Sequence, residues 1–358
     1  MPENGNESSE TRESSPIDEP KSSLSRSLGT SPAYSRMRRR VSAGDRRDET
    51  PLEVIRNSLW STDWMSLGIL ALYTLLNIIF ITEAPRAFGT LQVNILVAIA
   101  IIACCVWYDQ TGARIALIFR SFYVLPVGYM MYSQIHNYIP LINPENFDAV
   151  LAVWDRTLFG VNPTEWIGRF AHPILTEYFQ IWYNVFQLML VIPAVSLFRQ
   201  GRMRDFRIFV MTLLFGFYLS YLFYFAMPAI GPRFEIHDFY AIDSELPGLV
   251  LTEPFRDLID AGNNIQPTIM ENPYDHVNRD CMPSGHTMMS ILAILMAWRL
   301  RTRWRRLITI GGISIVISTI YLRYHYVVDL MAGLMLAVFV FLLHEALARW
   351  WEKREIPV

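Results

Sequence analysis

The chain has 358 residues, 52% hydrophobic and 18% charged, with a formal net charge of -2. Polar residues crowd into the first fifty or so positions, and the remainder is too apolar for a soluble single-core domain, which excludes that class. The near-neutral balance excludes the concentrated basic face of a nucleic-acid binder, and three cysteines, Cys104, Cys105 and Cys281, are too few and too poorly spaced for a disulfide framework.

Residues 1–56 are rich in Ser, Glu, Arg, Pro and Gly and nearly empty of large aliphatics, so they bury too little apolar surface to offset the entropy of ordering. A disordered tail is expected there. It ends in a basic stretch, Arg36, Arg38, Arg39, Arg40, Arg46 and Arg47. From 57 to 350 the pattern is that of a transmembrane domain. Apolar runs of bilayer-crossing length fall near 64–82, 91–108, 115–133, 178–198, 208–227, 286–299, 307–322 and 327–347, which predicts an all-α polytopic bundle of about eight spans. The third carries Arg120 and Pro126, and the sixth is short. Trp60, Trp64, Trp350 and Trp351 at span ends read as interfacial anchors, and Met282, Met288 and Met289 as core packing.

Arginines set the expected orientation. The tail, the connector with Arg199, Arg202, Arg204 and Arg207, and the connector with Arg299, Arg301, Arg303, Arg305 and Arg306 fall on one side if the count is eight. Both termini are then cytoplasmic, and the connectors around 83–90, 134–177 and 228–285 face outward. Within 141–177, aromatic and aliphatic residues alternate with Asp148, Asp155 and Glu165, the pattern of short amphipathic helices that either cap the bundle or admit lipid.

Two segments at outward span ends carry chemistry. Pro283-Ser284-Gly285-His286 opens the sixth span. Proline is tolerated near a helix start, Ser caps it, Gly lets a ligand approach the backbone, and the free N–H groups form an anion site beside the His286 imidazole. Between the seventh and eighth spans, His325 and Asp329 are four apart, so the carboxylate can orient the ring and leave its other nitrogen to attack.

These residues resemble the signatures of the type 2 phosphatidic acid phosphatase superfamily, Pro-Ser-Gly-His and SR-x5-H-x3-D. Tyr321-Leu322-x-x-His325-Tyr326-x-Val328-Asp329 looks most like its inositolphosphotransferase branch, which contains fungal inositol phosphorylceramide synthase; sphingomyelin synthases have a similar His-Tyr-x-x-Asp. The resemblance implies His325 as a nucleophile forming a phosphohistidine, Asp329 as its partner, His286 as acid and base, and Ser284 and Gly285 as phosphate contacts. Two positions depart from the pattern. The arginine expected six residues before the nucleophile is Thr319, with Arg323 as a possible replacement, and Lys-x6-Arg-Pro has no match beyond Gly231-Pro232-Arg233, which nominates Arg233 as the phosphate clamp.

His237, Asp275, His276, Asn278 and Asp280 read as ordinary loop residues. A metal site from His286, His325, Asp329 and His276 lacks any HExxH or CxxC spacing, so no metal and no cofactor are expected. A cysteine phosphatase at Cys281 fails because Thr287 stands where its arginine would be. The expectation is a membrane enzyme acting on a phospholipid or lipid phosphate at the outer surface, with water or a lipid or polyol hydroxyl as acceptor. The alternative is a non-catalytic lipid-phosphate binding or transport protein.

Overall fold

The computed structural model describes residues 50–84, 86–265 and 272–355, and the tail before residue 50 lies outside them. The helical domain begins earlier than the expected boundary at 57. Thr50 and Glu53 form a reciprocal capping box, Pro51 occupies the first helical position, and α1 (Pro51–Ser58) follows. After it come α2 (Ser61–Ile79), α3 (Ala87–Thr111), α4 (Arg114–Phe122), α5 (Val124–Ile135), α6 (Asp148–Phe159), α7 (Pro173–Asn184), α8 (Phe186–Arg199), α9 (Met203–Tyr224), α10 (Thr252–Gly262), α11 (Gly285–Arg299), α12 (Arg305–Tyr321) and α13 (Val327–Glu355), with short helical turns between them. Among the described residues there is no strand. The fold is an all-α polytopic bundle.

By length and apolarity, five or six segments qualify as spans against the eight expected. Five helical segments are long and apolar enough to cross a bilayer: α2, α3, the α4–α5 pair, α9, and α13 as far as Trp350. A sixth arises if α7 and α8, bent by 48°, form one broken span. At 15 and 17 residues, α11 and α12 reach only about 22 and 26 Å at 1.5 Å per residue, short of the ~30 Å hydrocarbon layer. Both begin or end at the two motif segments, and packing among longer neighbours relieves them of the need to match lipid.

Two apolar clusters meet at α9. One joins it to α2, α3 and α5 through Ile69, Tyr73, Ile101, Met131, Tyr218 and Tyr221. The other joins it to α8, α11, α12 and α13 through Phe209, Met288, Met289, Leu292, Ile315 and Val340. Met288 and Met289 are therefore core residues, as expected.

Two polar groupings inside these helices are paired across elements, the arrangement hydrocarbon surroundings favour. Arg120 is buried against Asp63 at 2.8 Å and donates to the Ser58 carbonyl, while its guanidinium lies 3.8 Å from the Trp60 ring. Asn94 and Gln134 exchange two amide hydrogen bonds of 3.1 and 2.7 Å between α3 and α5.

The arginine-rich connectors converge at one end of the bundle. Arg207 lies 4.4 Å from the Trp60 ring, Arg202 donates to the Leu300 carbonyl at 2.6 Å, and Arg299 pairs with Glu345. The two motif segments are at the other end.

Candidate active site

The site begins with α6, in the connector whose role the sequence left open. Asp148 and Asp155 are seven apart, so they share a helical face with buried Leu151 and Ala152. Asp148 accepts the Ile230 and Gly231 amides, each at 2.7 Å, and the Tyr326 hydroxyl at 3.0 Å. Asp155 accepts the Val327 and Val328 amides at 2.8 and 2.9 Å, satisfying two free N–H groups at the start of α13. Burial pushes both carboxyls up, and the donated amides pull them back. Far from merely capping the bundle, α6 fixes the loops on either side of the site.

One of those loops needs glycine. Gly231 has φ +102°, and a Cβ there would lie 2.7 Å from the Tyr324 carbonyl. It leads into Pro232 and Arg233, whose guanidinium is buried, pairs with Asp260 at 2.7 Å and stands 4.5 Å from the Phe239 ring.

The second loop leaves α12 in a Schellman motif. The Tyr324 amide bonds the Thr319 carbonyl at 2.9 Å, the Arg323 amide bonds that of Ile320 at 3.0 Å, and Arg323 takes the left-handed position at φ +66°. The Arg323 side chain pairs with Glu245 and does not line the cavity described below. Thr319, where the arginine of the family signature would stand, is fully buried, and its one carbonyl accepts both the Tyr324 and His325 amides.

His325 follows, with Nδ1 3.5 Å from Asp329 Oδ2. Asp329 is fully buried and also accepts the Tyr326 amide at 3.0 Å. Cys281 joins this pair: its Sγ lies 2.7 Å from Asp329 Oδ2 and 3.4 Å from His325 Nδ1. Burial and the nearby Asp329 carboxylate push the Cys281 thiol well up, so it remains a protonated donor.

Ser284 caps α11 by accepting the Thr287 amide at 3.3 Å, and its own N–H bonds the Asp329 carbonyl at 3.1 Å. The Ser284 amide expected to hold phosphate is thus already engaged. A Cβ on Gly285 would lie 2.7 Å from the Tyr224 hydroxyl, so glycine permits this close approach. His286 stacks on Tyr183 at 4.3 Å between ring centroids, and Tyr183 stacks in turn on Tyr324 at 4.6 Å.

His286 and His325 stand 6.0 Å apart, centroid to centroid. Both line a cavity of about 210 Å³ together with Arg233, Cys281, Asp280 and Tyr132. Asp280 accepts the Tyr132 hydroxyl at 2.6 Å, and Asn263 and Asn278 also line the cavity. Asp280 and Asn278, read from sequence as ordinary loop residues, therefore line the same cavity as the two histidines. His325 keeps one nitrogen toward Asp329, His286 stands within a phosphate's width, and Arg233 supplies positive charge.

His237 is outside the cavity but holds the neighbouring loop, with Nε2 2.9 Å from the Thr164 hydroxyl. Burial, then the Arg323 cation, lower it from 6.5 to about 4. Its neutral form is the one the fold favours, so its contribution to stability is complete above pH 6.5 and is lost as pH falls towards 4. Thermal melts from pH 7 to 4 should show a shallower decline for His237→Gln than for the parent chain.

A multi-pass helical bundle brings a buried His–Asp pair and a second histidine to the wall of one cavity. The family model described as PAP2 superfamily matches residues 149–343, more than half of the chain, and the chain belongs to that superfamily. The match takes in α6 after Asp148, both site loops and α13 as far as residue 343, whereas α1–α5 lie outside it. A PA-phosphatase related-family protein of Dictyostelium discoideum is 40% identical over 60 residues, covering 17% of this chain and 11% of that protein. This chain thus spans only a small part of that relative. No solved structure matches.

Proposed function

We propose that this protein is a lipid phosphatase or phosphotransferase that works through a phosphohistidine on His325, with an inositolphosphotransferase-like preference. The observation that carries the reading is the placement of His325, oriented by Asp329, and His286 at 6.0 Å in one cavity with Arg233. His325 Nε2 attacks the phosphorus of a lipid phosphoester, forming the P–N bond as the P–O bond to the leaving group breaks. His286 protonates the departing oxygen. Asp329 stabilises the charge on the His325 ring, while Arg233 and the α11 start face the charge on the phosphoryl oxygens.

In the second half His286 removes a proton from the acceptor, whose oxygen displaces His325. Water as acceptor makes a phosphatase, and a lipid or polyol hydroxyl makes a transferase. Asn263, Asn278 and Asp280 favour a hydroxyl-rich headgroup, since they offer several hydrogen-bond partners beside the reacting phosphate. In this reading the site faces the outer side of the membrane, and the arginine-rich end and both termini face the cytoplasm.

Purified protein given labelled phosphatidylinositol with ceramide or diacylglycerol should move the phosphoinositol group to the acceptor. Release of phosphate from phosphatidate alone would assign the phosphatase, and no turnover of either lipid would overturn the enzymatic reading. Arg233→Lys keeps one charge but loses the planar fork. It should lower kcat/KM about 10- to 100-fold in the same assay, against little change if Arg233 serves only Asp260.

A further inference from the structure

Cys281, His325 and Asp329 bring one sulfur, one nitrogen and one oxygen together at the edge of the cavity, and all three residues are buried. We propose that this trio is an inhibitory site for a soft divalent cation such as Zn2+ or Cd2+, which disables the nucleophile by occupying its orienting nitrogen. The inhibitory consequence rests on His325 being the nucleophile; binding at the trio does not.

Geometry makes the case. The separations are 3.4 Å from sulfur to nitrogen, 3.5 Å from nitrogen to oxygen and 2.7 Å from sulfur to oxygen. Tetrahedral zinc with ordinary bond lengths places such ligand atoms about 3.3 to 3.6 Å apart. Two edges of the triangle already fit, and the third must open by somewhat under about 1 Å, within reach of side-chain rotation. Asp329 Oδ1 is buried without a hydrogen-bond partner, so the carboxylate retains unused acceptor capacity beside the trio. Cys281 and His325 line the cavity, which gives an ion a route in, and Asp280 adds negative charge to that route.

The ligand chemistry selects the metal. A thiolate with an imidazole and a single carboxylate suits Zn2+ or Cd2+, whereas Mg2+ and Ca2+ demand oxygen ligands. On binding, the Cys281 thiol loses its proton to solvent and its sulfur bonds the ion. The proton on His325 Nδ1 gives way to the metal, and Nε2 becomes the protonated nitrogen. One proton is released in total, and the nitrogen that would attack phosphorus no longer has a free lone pair. Spacing in the sequence conceals the site, because Cys281 stands 44 and 48 positions from its two partners.

The test uses the full chain in detergent with Cys104 and Cys105 replaced by Ala, so that Cys281 is the only thiol. Titration with Cd2+ is followed by the ultraviolet thiolate-to-cadmium charge-transfer band and, separately, by lipid phosphate turnover. The expected result is a band saturating at one equivalent and reversed by chelator, Cys281→Ser abolishing the band, and His325→Gln weakening Cd2+ affinity at least tenfold. Inhibition by Zn2+, each variant scored against its own metal-free rate, should need at least tenfold more ion in Cys281→Ser, and Mg2+ should not inhibit. Absence of the band, or a Cd2+ affinity unchanged by His325→Gln, would overturn the site even if Cys281→Ser misfolds. A band that forms as described on a protein with no turnover would retain the metal site and overturn the proposed function instead.

Discussion

His325→Ala should lower turnover of a lipid phosphate by roughly 10^4-fold or more while leaving the fold intact, because in the proposed mechanism it removes the group that forms the covalent intermediate rather than one that merely stabilises charge. The ring is buried at the cavity wall and is held through Nδ1 by a fully buried carboxylate. Truncation deletes the nucleophile but leaves the α11 start, Arg233 and His286 in place. The residual rate should resemble that of a binding pocket alone. His325→Gln separates the two functions of the ring: it restores volume and a hydrogen bond to Asp329, yet has no nucleophilic nitrogen, and should be equally inactive. Assays at saturating lipid should show the loss in kcat, with a normal circular dichroism spectrum confirming that the helices survive.

Asp148→Ala should act on structure and activity together. It leaves the Ile230 and Gly231 amides and the Tyr326 hydroxyl without their acceptor in a buried place. Each stranded donor costs about 1 to 3 kcal/mol, and relief of the carboxylate's own desolvation offsets part of that, so a net loss of about 3 kcal/mol is expected. The activity should drop about 100-fold, since the 230–233 loop carries Arg233 and Tyr326 adjoins His325, and a shift of roughly 1 Å in such groups is enough for that effect. Tyr326→Phe removes one of the three donors and should show a much smaller change in both. Melting temperature and kcat/KM on the same preparations give the comparison.

Asp148 also shows which parts of the site the sequence makes legible. His286, His325 and Asp329 are readable because each motif is local: a helix start arranges Ser284 to His286, and four-residue spacing relates His325 to Asp329. Arg233 is readable through the glycine and proline before it. Asp148 and Asp155 appear in the sequence as acids among apolar residues of an amphipathic segment. Their spacing of seven was a usable sign that both lie on the buried face, but their partners are 82 and 172 positions away. Cys281, Asp280 and Tyr183 owe their roles to tertiary proximity alone.

Length misled in a different way. Hydropathy identifies α11 and α12 as apolar, but a helix that ends at a loop packed inside a bundle does not have to cover the bilayer by itself. Arg120, the odd residue in the third expected span, is explained by Asp63 in α2, a pairing that no local pattern predicts.

The central claim is that His325 becomes covalently phosphorylated and that His286 is needed to discharge it. The direct measurement is to react the parent chain and His286→Ala with lipid bearing a radiolabelled phosphate, quench on the timescale of turnover, and map the label by mass spectrometry. A base-stable, acid-labile phosphoryl group on His325, absent from the His286→Ala/His325→Ala double variant, is the predicted result. Label on another residue, or turnover by His325→Ala at the parent rate, would contradict it.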